Sequence, residues 1–131
     1  MKEFFMAMIP PTVTSQEHKI VVRNGKGFFY DPPELKAARQ KLTAHLRRHS
    51  PDEPYRSGVK LTAKWIFPAG SRPVGTYRTT RPDTDNLQKL LKDCMTRCGF
   101  WEDDALVASE LVEKFWGDPP GIYIRIEELK Q

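Results

Sequence analysis

The chain of 131 residues has only two cysteines and three histidines, and each shortage closes off a class of explanation. Cys94 and Cys98 stand four apart, which on a helix puts both thiols on one face. That is poor geometry for a bridge and half the ligands of a structural zinc site. They read as small apolar core residues of a protein kept in a reducing, cytoplasmic compartment. His18, His45 and His49 lie remote in sequence from the acidic segment described below, which argues against histidine-based hydrolysis there. No apolar run reaches the roughly 18 residues of a membrane span. The opening MKEFFMAMIPP reads as too short and wrongly flanked for a secretory signal. Internal repeats and composition shifts are lacking too, so residues 1–131 are expected to form one domain with a single modest core.

What is present is a basic balance, 21 Lys and Arg against 17 Asp and Glu, a formal +4 that favours an anionic partner. Residues 3–9 (EFFMAMI) predict a strand buried on both faces. Residues 18–23 and 26–30 flank Asn24-Gly25, a strong hairpin signal. Asp31-Pro32-Pro33-Glu34 predicts a helix start with Asp31 as N-cap and Pro32 at the first helical position. The stripe Leu35, Ala38, Leu42 and Leu46 carries that helix to about residue 49. Residues 58–67 alternate, with Val59, Leu61, Ala63, Trp65 and Phe67 on one face and Lys60, Thr62 and Lys64 on the other. Residues 68–82, rich in Gly, Pro and Thr, predict a mobile basic loop carrying Arg72, Arg78 and Arg81. Leu87, Leu90, Leu91, Cys94 and Cys98 mark the buried face of a second helix over 85–98, stopped by Gly99. Residues 105–116 and 121–128 predict a hairpin through Gly117-Asp118-Pro119-Pro120, with Ile122, Ile124 and Ile126 facing in. The element order is that of an α+β domain.

The richest chemistry is the stretch RPDTDNLQKLLKDCMTRCGFWEDDA. Asp83 and Asp85, one residue apart in an extended segment, present both carboxylates on one side. Such a pair, with one more carboxylate, several waters and substrate phosphate oxygens, suits octahedral Mg²⁺. Asp104 or Asp103 is expected to supply the third, brought back toward the sheet by the chain reversal after the helix. Lys89 follows Asp85 by four residues, opposite the apolar stripe, so the two share a face. Metal-activated water attacking a phosphodiester is the matching reaction class. The same residues have plainer readings. Asp85 with Gln88 forms a capping pair, Asp103-Asp104 a polar turn, and Asp93 a solvated helix position. On spacing alone the two sets of readings are evenly matched.

The combined pattern R-P-D-x-D-N-L-x-K, a helix, then G-F-W-x-D-D-A strongly resembles the RusA family of Holliday junction resolvases, closely over residues 81–107. Weaker agreement extends to the Pro10-Pro11 loop, the first helix and the final strands. The resemblance implies a small mixed sheet with two main helices against it. It implies a homodimeric, Mg²⁺-dependent endonuclease of bacteria and their prophages, with Mn²⁺ as a substitute metal, that cuts four-way DNA junctions in paired nicks. Carried over by position, the family's acidic residues fall on Asp83, Asp85 and Asp104, and its lysine on Lys89. Asp103 matches the first member of the D-D pair. The stretch 68–81 is longer and richer in Gly and Pro than the family's basic segment. Arg72, Arg78 and Arg81, with Lys60 and Lys64 on the neighbouring strand, are the expected phosphate contacts, and Tyr77 is placed to stack on an unpaired base. Two competitors stand beside this reading. A nuclease of the PD-(D/E)xK type finds Pro82-Asp83 but has its only E-x-K at Glu128-Leu129-Lys130, by the C-terminus. A non-catalytic DNA-binding protein of phage recombination or replication would use the same acids only as caps and turns.

Overall fold

The computed structural model describes residues 1–14, 19–23, 26–30 and 32–130, and for 19–23 and 26–30 the backbone alone. Among these residues the chain forms β1 (Lys2–Ala7), β2 (Lys19–Arg23), β3 (Lys26–Tyr30), α1 (Pro33–Arg47), β4 (Val59–Pro68), α2 (Thr84–Arg97), β5 (Val107–Gly117) and β6 (Gly121–Glu128). A single 3-10 turn, Asp104–Leu106, leads into β5. The sheet runs β1-β6-β4-β5, with β4 and β5 parallel and β6 antiparallel to both β1 and β4. This is the expected α+β domain with a mixed sheet and two main helices.

The alternation in β4 works as the sequence indicates. Val59, Leu61, Ala63, Trp65 and Phe67 are all buried, and on the next strand Ile122, Ile124 and Ile126 join them. Against this layer lie Leu35, Leu42 and Leu46 of α1 and Leu87, Leu90, Leu91, Cys94 and Met95 of α2, forming one core. Cys94 and Cys98 are buried free thiols, and burial pushes both pKa values up, so they behave as core residues. No helix among the described residues is long and apolar enough to cross a membrane.

Four local expectations change. First, β5 and β6 are not paired as a hairpin, because β4 lies between them. Alternation identifies a strand and its inward face but carries no information about its neighbour. The link must instead cross the end of β4 closely, which explains Gly117, while Gly121 lets β6 approach β1. A Cβ on Gly117 would stand 2.5 Å from Ile66 Cγ2, and one on Gly121 would stand 2.5 Å from the Met6 carbonyl oxygen and overlap the Phe5 ring. Second, β1 is an edge strand, covered on one face only, with Met6 buried and Phe5 exposed. A short apolar run does not distinguish a central strand from an edge whose outer face is also apolar. Third, α1 is capped by Pro32 with no side-chain cap bond, and Pro33 takes the first helical position. Two prolines in series let the start slip by one residue, since either fits there. Asp31, the expected cap, lies outside the described residues, as do Asn24-Gly25 and His18. The strands flanking that dipeptide do pair antiparallel, Arg23 opposite Lys26.

Fourth, residues 69–78 are a strap rather than a loose loop. The Ala69 N–H donates to the Gly117 carbonyl, Gly75 N–H to Trp116 O (2.7 Å), Trp116 N–H to Thr76 O (2.8 Å) and Arg78 N–H to Lys114 O (3.0 Å). They cover the open edge of β5, which would otherwise present unpaired backbone groups.

Replacing Gly121 with Ala is expected to lower the unfolding free energy by about 2 kcal/mol, because a backbone oxygen and an aromatic ring must both move. Gly117→Ala should cost less, since only the Ile66 side chain has to yield. Urea denaturation of both variants checks the ranking, and equal stability of Gly121→Ala and wild type would disprove the close approach of Gly121 to β1.

Candidate functional site

The strap ends where α2 begins, and one lysine ties them together. Lys114 sits on β5 at the position paired with Trp65, so it points toward the helices. Its ammonium donates to the carbonyl oxygens of Thr80 (2.7 Å) and Pro82 (2.6 Å). Burial, followed by repulsion from Arg78, lowers the Lys114 pKa, while the charge of Asp83 works the other way. Around it Arg78 lies over the rings of Phe67 (4.3 Å) and Trp116 (4.5 Å), and Arg72 over Trp116 at 3.9 Å. Arg78 also donates from Nε to Thr80 Oγ1 and from its terminal nitrogen to the Arg81 carbonyl. The chain immediately before Asp83 is thus positioned by several polar contacts.

Asp83 is the N-cap of α2, with the Leu87 N–H on its carbonyl, and its carboxylate makes no capping hydrogen bond. Asp85 is the second residue of the helix and not its cap, so the expected Asp85–Gln88 capping pair does not form. Gln88 is instead buried, its Nε2 turned to Glu110 on β5 at 3.5 Å and its Oε1 without a hydrogen-bond partner. Asp83, Asp85 and Lys89 are all exposed. The apolar stripe at 87, 90, 91 and 94 fixes the phase of α2 and turns 85 and 89 outward together. Two carboxylates at a helix N-terminus, beside an ammonium, form a polar site facing solvent. The N-terminal dipole favours their negative charge.

Asp104 does not join them. α2 spans Thr84–Arg97, and fourteen residues at about 1.5 Å each separate its ends by about 20 Å. The chain reverses only after Gly99, so Asp104 is left at the C-terminal end of the helix, in a hollow lined by Asp93, Thr96, Arg97, Glu102 and Asp103. The expectation that the return strand brings Asp104 back beside Asp83 is corrected by that rigid length. Among the described residues no group of three or more Asp, Glu, His or Cys is placed to hold a metal ion. Asp103 fulfils the polar-turn reading, its Oδ1 accepting the Ala105 N–H at 2.9 Å. Asp93 is not merely solvated, since it pairs with Arg39 of α1 at 3.8 Å.

The expected phosphate contacts divide. Arg81 is exposed two residues before Asp83, while Arg72 and Arg78 lie on aromatic rings in the strap. Lys60 and Lys64 project from the sheet face opposite the helices, where Lys64 approaches Glu113 (4.0 Å) and the Tyr123 ring. Strand alternation put them on the polar face correctly, but that face points away from α2. Tyr77 stacks on Phe115 and donates to Glu113, which raises its pKa. Sequence reasoning missed Lys114 and Glu110. Glu110 faces α2, pairing with Lys92 at 3.2 Å. Their signal was parity, as both share the inward phase of Trp116 on the 105–116 strand.

Comparison with known proteins bears on this arrangement. A family model described as endodeoxyribonuclease RusA matches residues 9–127. The chain is 29% identical over 130 residues to the crossover junction endodeoxyribonuclease rusA of Lactococcus phage r1t, covering 97% of this chain and 96% of that protein. It is 26% identical over 120 residues to the uncharacterized protein YqaN of Bacillus subtilis (strain 168), covering 82% of this chain and 84% of that protein.

Lys114→Met is expected to leave the Thr80 and Pro82 carbonyls without their charged donor and to destabilise the protein by about 1–3 kcal/mol. Amide exchange at Gly75 and Arg78 should speed up relative to the core of α2. Unchanged exchange at both amides would show that Lys114 does not clamp the strap.

Proposed function

The chain belongs to the RusA family of endodeoxyribonucleases, and on that premise we propose that it resolves four-way DNA junctions by paired, symmetric phosphodiester hydrolysis at the N-terminal end of α2. The observation that carries this reading is the pair Asp83 and Asp85, exposed at the helix start with Lys89 on the same face. Their chemistry fits a hard divalent cation, which takes one or two carboxylates and fills its remaining positions with water and phosphate oxygens. When bound, Mg²⁺ (or Mn²⁺ in its place) supplies a more acidic water and a polarised phosphoryl oxygen.

Asp83 and Asp85 would hold that ion. Lys89, one turn further on, neutralises charge developing on the phosphoryl and leaving oxygens. Arg81 is positioned to draw the DNA backbone toward two carboxylates that would otherwise repel it. Arg72 and Arg78 make further phosphate contacts from guanidinium groups already ordered by stacking, whereas Lys60 and Lys64 take no part from the far face. The protein acts in the cytoplasm of a bacterial host, where its DNA substrate lies.

Asp104 enters through the second copy of a homodimer. Two symmetric cuts need two sites related by a two-fold axis. Such an axis, placed beside α2, sets the C-terminal end of one helix next to the N-terminal end of the other. Each site then combines Asp83, Asp85 and Lys89 of one chain with Asp104 of its partner.

Asp85→Asn is expected to retain junction binding and lose cleavage by at least a hundredfold, measured on a synthetic four-way junction in Mg²⁺. Linear duplex and single strand serve as controls. Wild-type cleavage by Asp85→Asn would overturn the assignment, and cleavage by wild type without added metal would overturn the choice of cation. Subunit mixing tests the shared site. Asp85→Asn and Asp104→Asn are each inactive alone, yet mixed and re-equilibrated they should regain nicking, because a heterodimer carries both lesions in one site and leaves the other intact. No recovery, or a monomer in sedimentation at working concentration, would place Asp104 outside the site.

A further inference from the structure

Formal charge is distributed unevenly along the chain. Residues 33–48, which comprise α1 and its C-cap, hold Lys36, Arg39, Lys41, Arg47 and Arg48 against a single acid, Glu34. That is a net +4, equal to the charge of the entire chain, so the rest of the molecule is formally neutral. Residues 56–81 hold six further cations and no acid, but there Lys64 approaches Glu113 and Arg72 and Arg78 lie on aromatic rings.

The geometry sharpens this charge into a groove. Arg39, Gln40, Thr43, Ala44 and Arg47 of α1 and Arg97 of α2 line a hollow between the two helices, with no carboxylate in its lining. Gln40, Thr43 and Arg47 follow one another at helical spacing, and Lys36 stands one turn earlier on the same stripe. Lys36, Arg47 and Arg97 are exposed, whereas Arg39 is nearly buried at the base of the groove and held 3.8 Å from Asp93. His45 and His49 lie at the same end of α1. Burial and then Arg48 and Lys41 lower the His45 pKa, and burial followed by Lys2, Arg48 and His45 lowers that of His49.

We infer that this groove binds the phosphodiester backbone of a DNA arm, away from the Asp83 and Asp85 end of α2. Arginine, lysine, threonine and glutamine are the side chains that contact phosphate and sugar oxygens without reading sequence. From Arg39 to Arg47 the helix rises about 12 Å, long enough to reach more than one phosphate of a strand. The charged groups that line it, Arg39, Arg47 and Arg97, are all cationic, which favours a polyanion over a neutral or basic partner. The inference rests on the nuclease reading for the identity of the polyanion, and it adds a contact region on α1 to those at the N-terminal end of α2.

The test is fluorescence anisotropy of a labelled four-way junction without divalent metal, from 50 to 300 mM salt, for wild type and Lys36→Ala/Arg47→Ala. Both side chains are exposed, and thermal melts confirm that the variant folds. The expected result is a loss of affinity of tenfold or more at 100 mM salt. The salt slope should be shallower by about two, as each lost phosphate contact removes about 0.9. Lys36→Arg/Arg47→Lys, which keeps the charge, should restore most of the slope. Unchanged affinity and slope in the alanine variant, beside a wild type that cuts junctions, would overturn the groove and leave the nuclease reading intact. A wild type that binds but never cuts in Mg²⁺, with the slope still falling in the variant, would support the groove and overturn the nuclease reading.

Discussion

The apolar stripe of α2 governs most of what this molecule can do. Leu87, Leu90, Leu91, Cys94 and Met95 are fully buried against the sheet, so the helix has one rotational setting and no freedom to roll. That setting turns Asp85 and Lys89 outward. It also places Glu110 and Lys114 of β5 beneath the helix, where they meet Gln88, Lys92 and the carbonyl groups leading into the helix. Because the helix is rigid and about 20 Å long, the same packing that presents Asp83 and Asp85 holds Asp104 away from them. The separation of these carboxylates within one chain follows directly from a well-formed core.

Electrostatics is layered on that frame in a consistent way. Carboxylates gather at the two ends of α2, and α1 beside it carries an excess of cations. A nuclease needs both, since carboxylates repel the phosphate they must reach. Lys89 and Arg81 stand beside the acids, and further cations lie on the adjacent helix α1. Arg39 and Asp93 meet at 3.8 Å where the two helices touch, and Lys64 approaches Glu113 on the opposite face of the sheet. Arg72 and Arg78 differ again, their guanidinium groups lying over Trp116 and Phe67 within the strap.

The sequence was legible wherever a local pattern maps onto a local geometry. Alternation in β4 and β6, the 3.6-residue stripes of both helices, the glycine stop at Gly99 and the core character of both cysteines all reduce to which side of one element a residue faces. It was less legible where a contact depends on another element. The β5–β6 pairing failed because alternation is indifferent to which strand lies alongside. The strap looked like a loose loop because its order comes from Trp116, Lys114 and Gly117, forty residues further on. The burden on α1 escaped notice because its lysines and arginines are interleaved with the leucines that identified the helix.

By itself, then, the sequence determined the element order, the buried faces, and the residue types able to handle a metal and a phosphodiester, along with the motif that relates them to one family. These are properties of short windows, set by backbone period and side-chain chemistry. Only the tertiary structure decided that Asp104 stands a helix length from Asp83 and Asp85, that Lys60 and Lys64 face away from the site, and that the cations of α1 and Arg97 share a groove. Distances between remote segments depend on how rigid elements pack, and no local pattern encodes them.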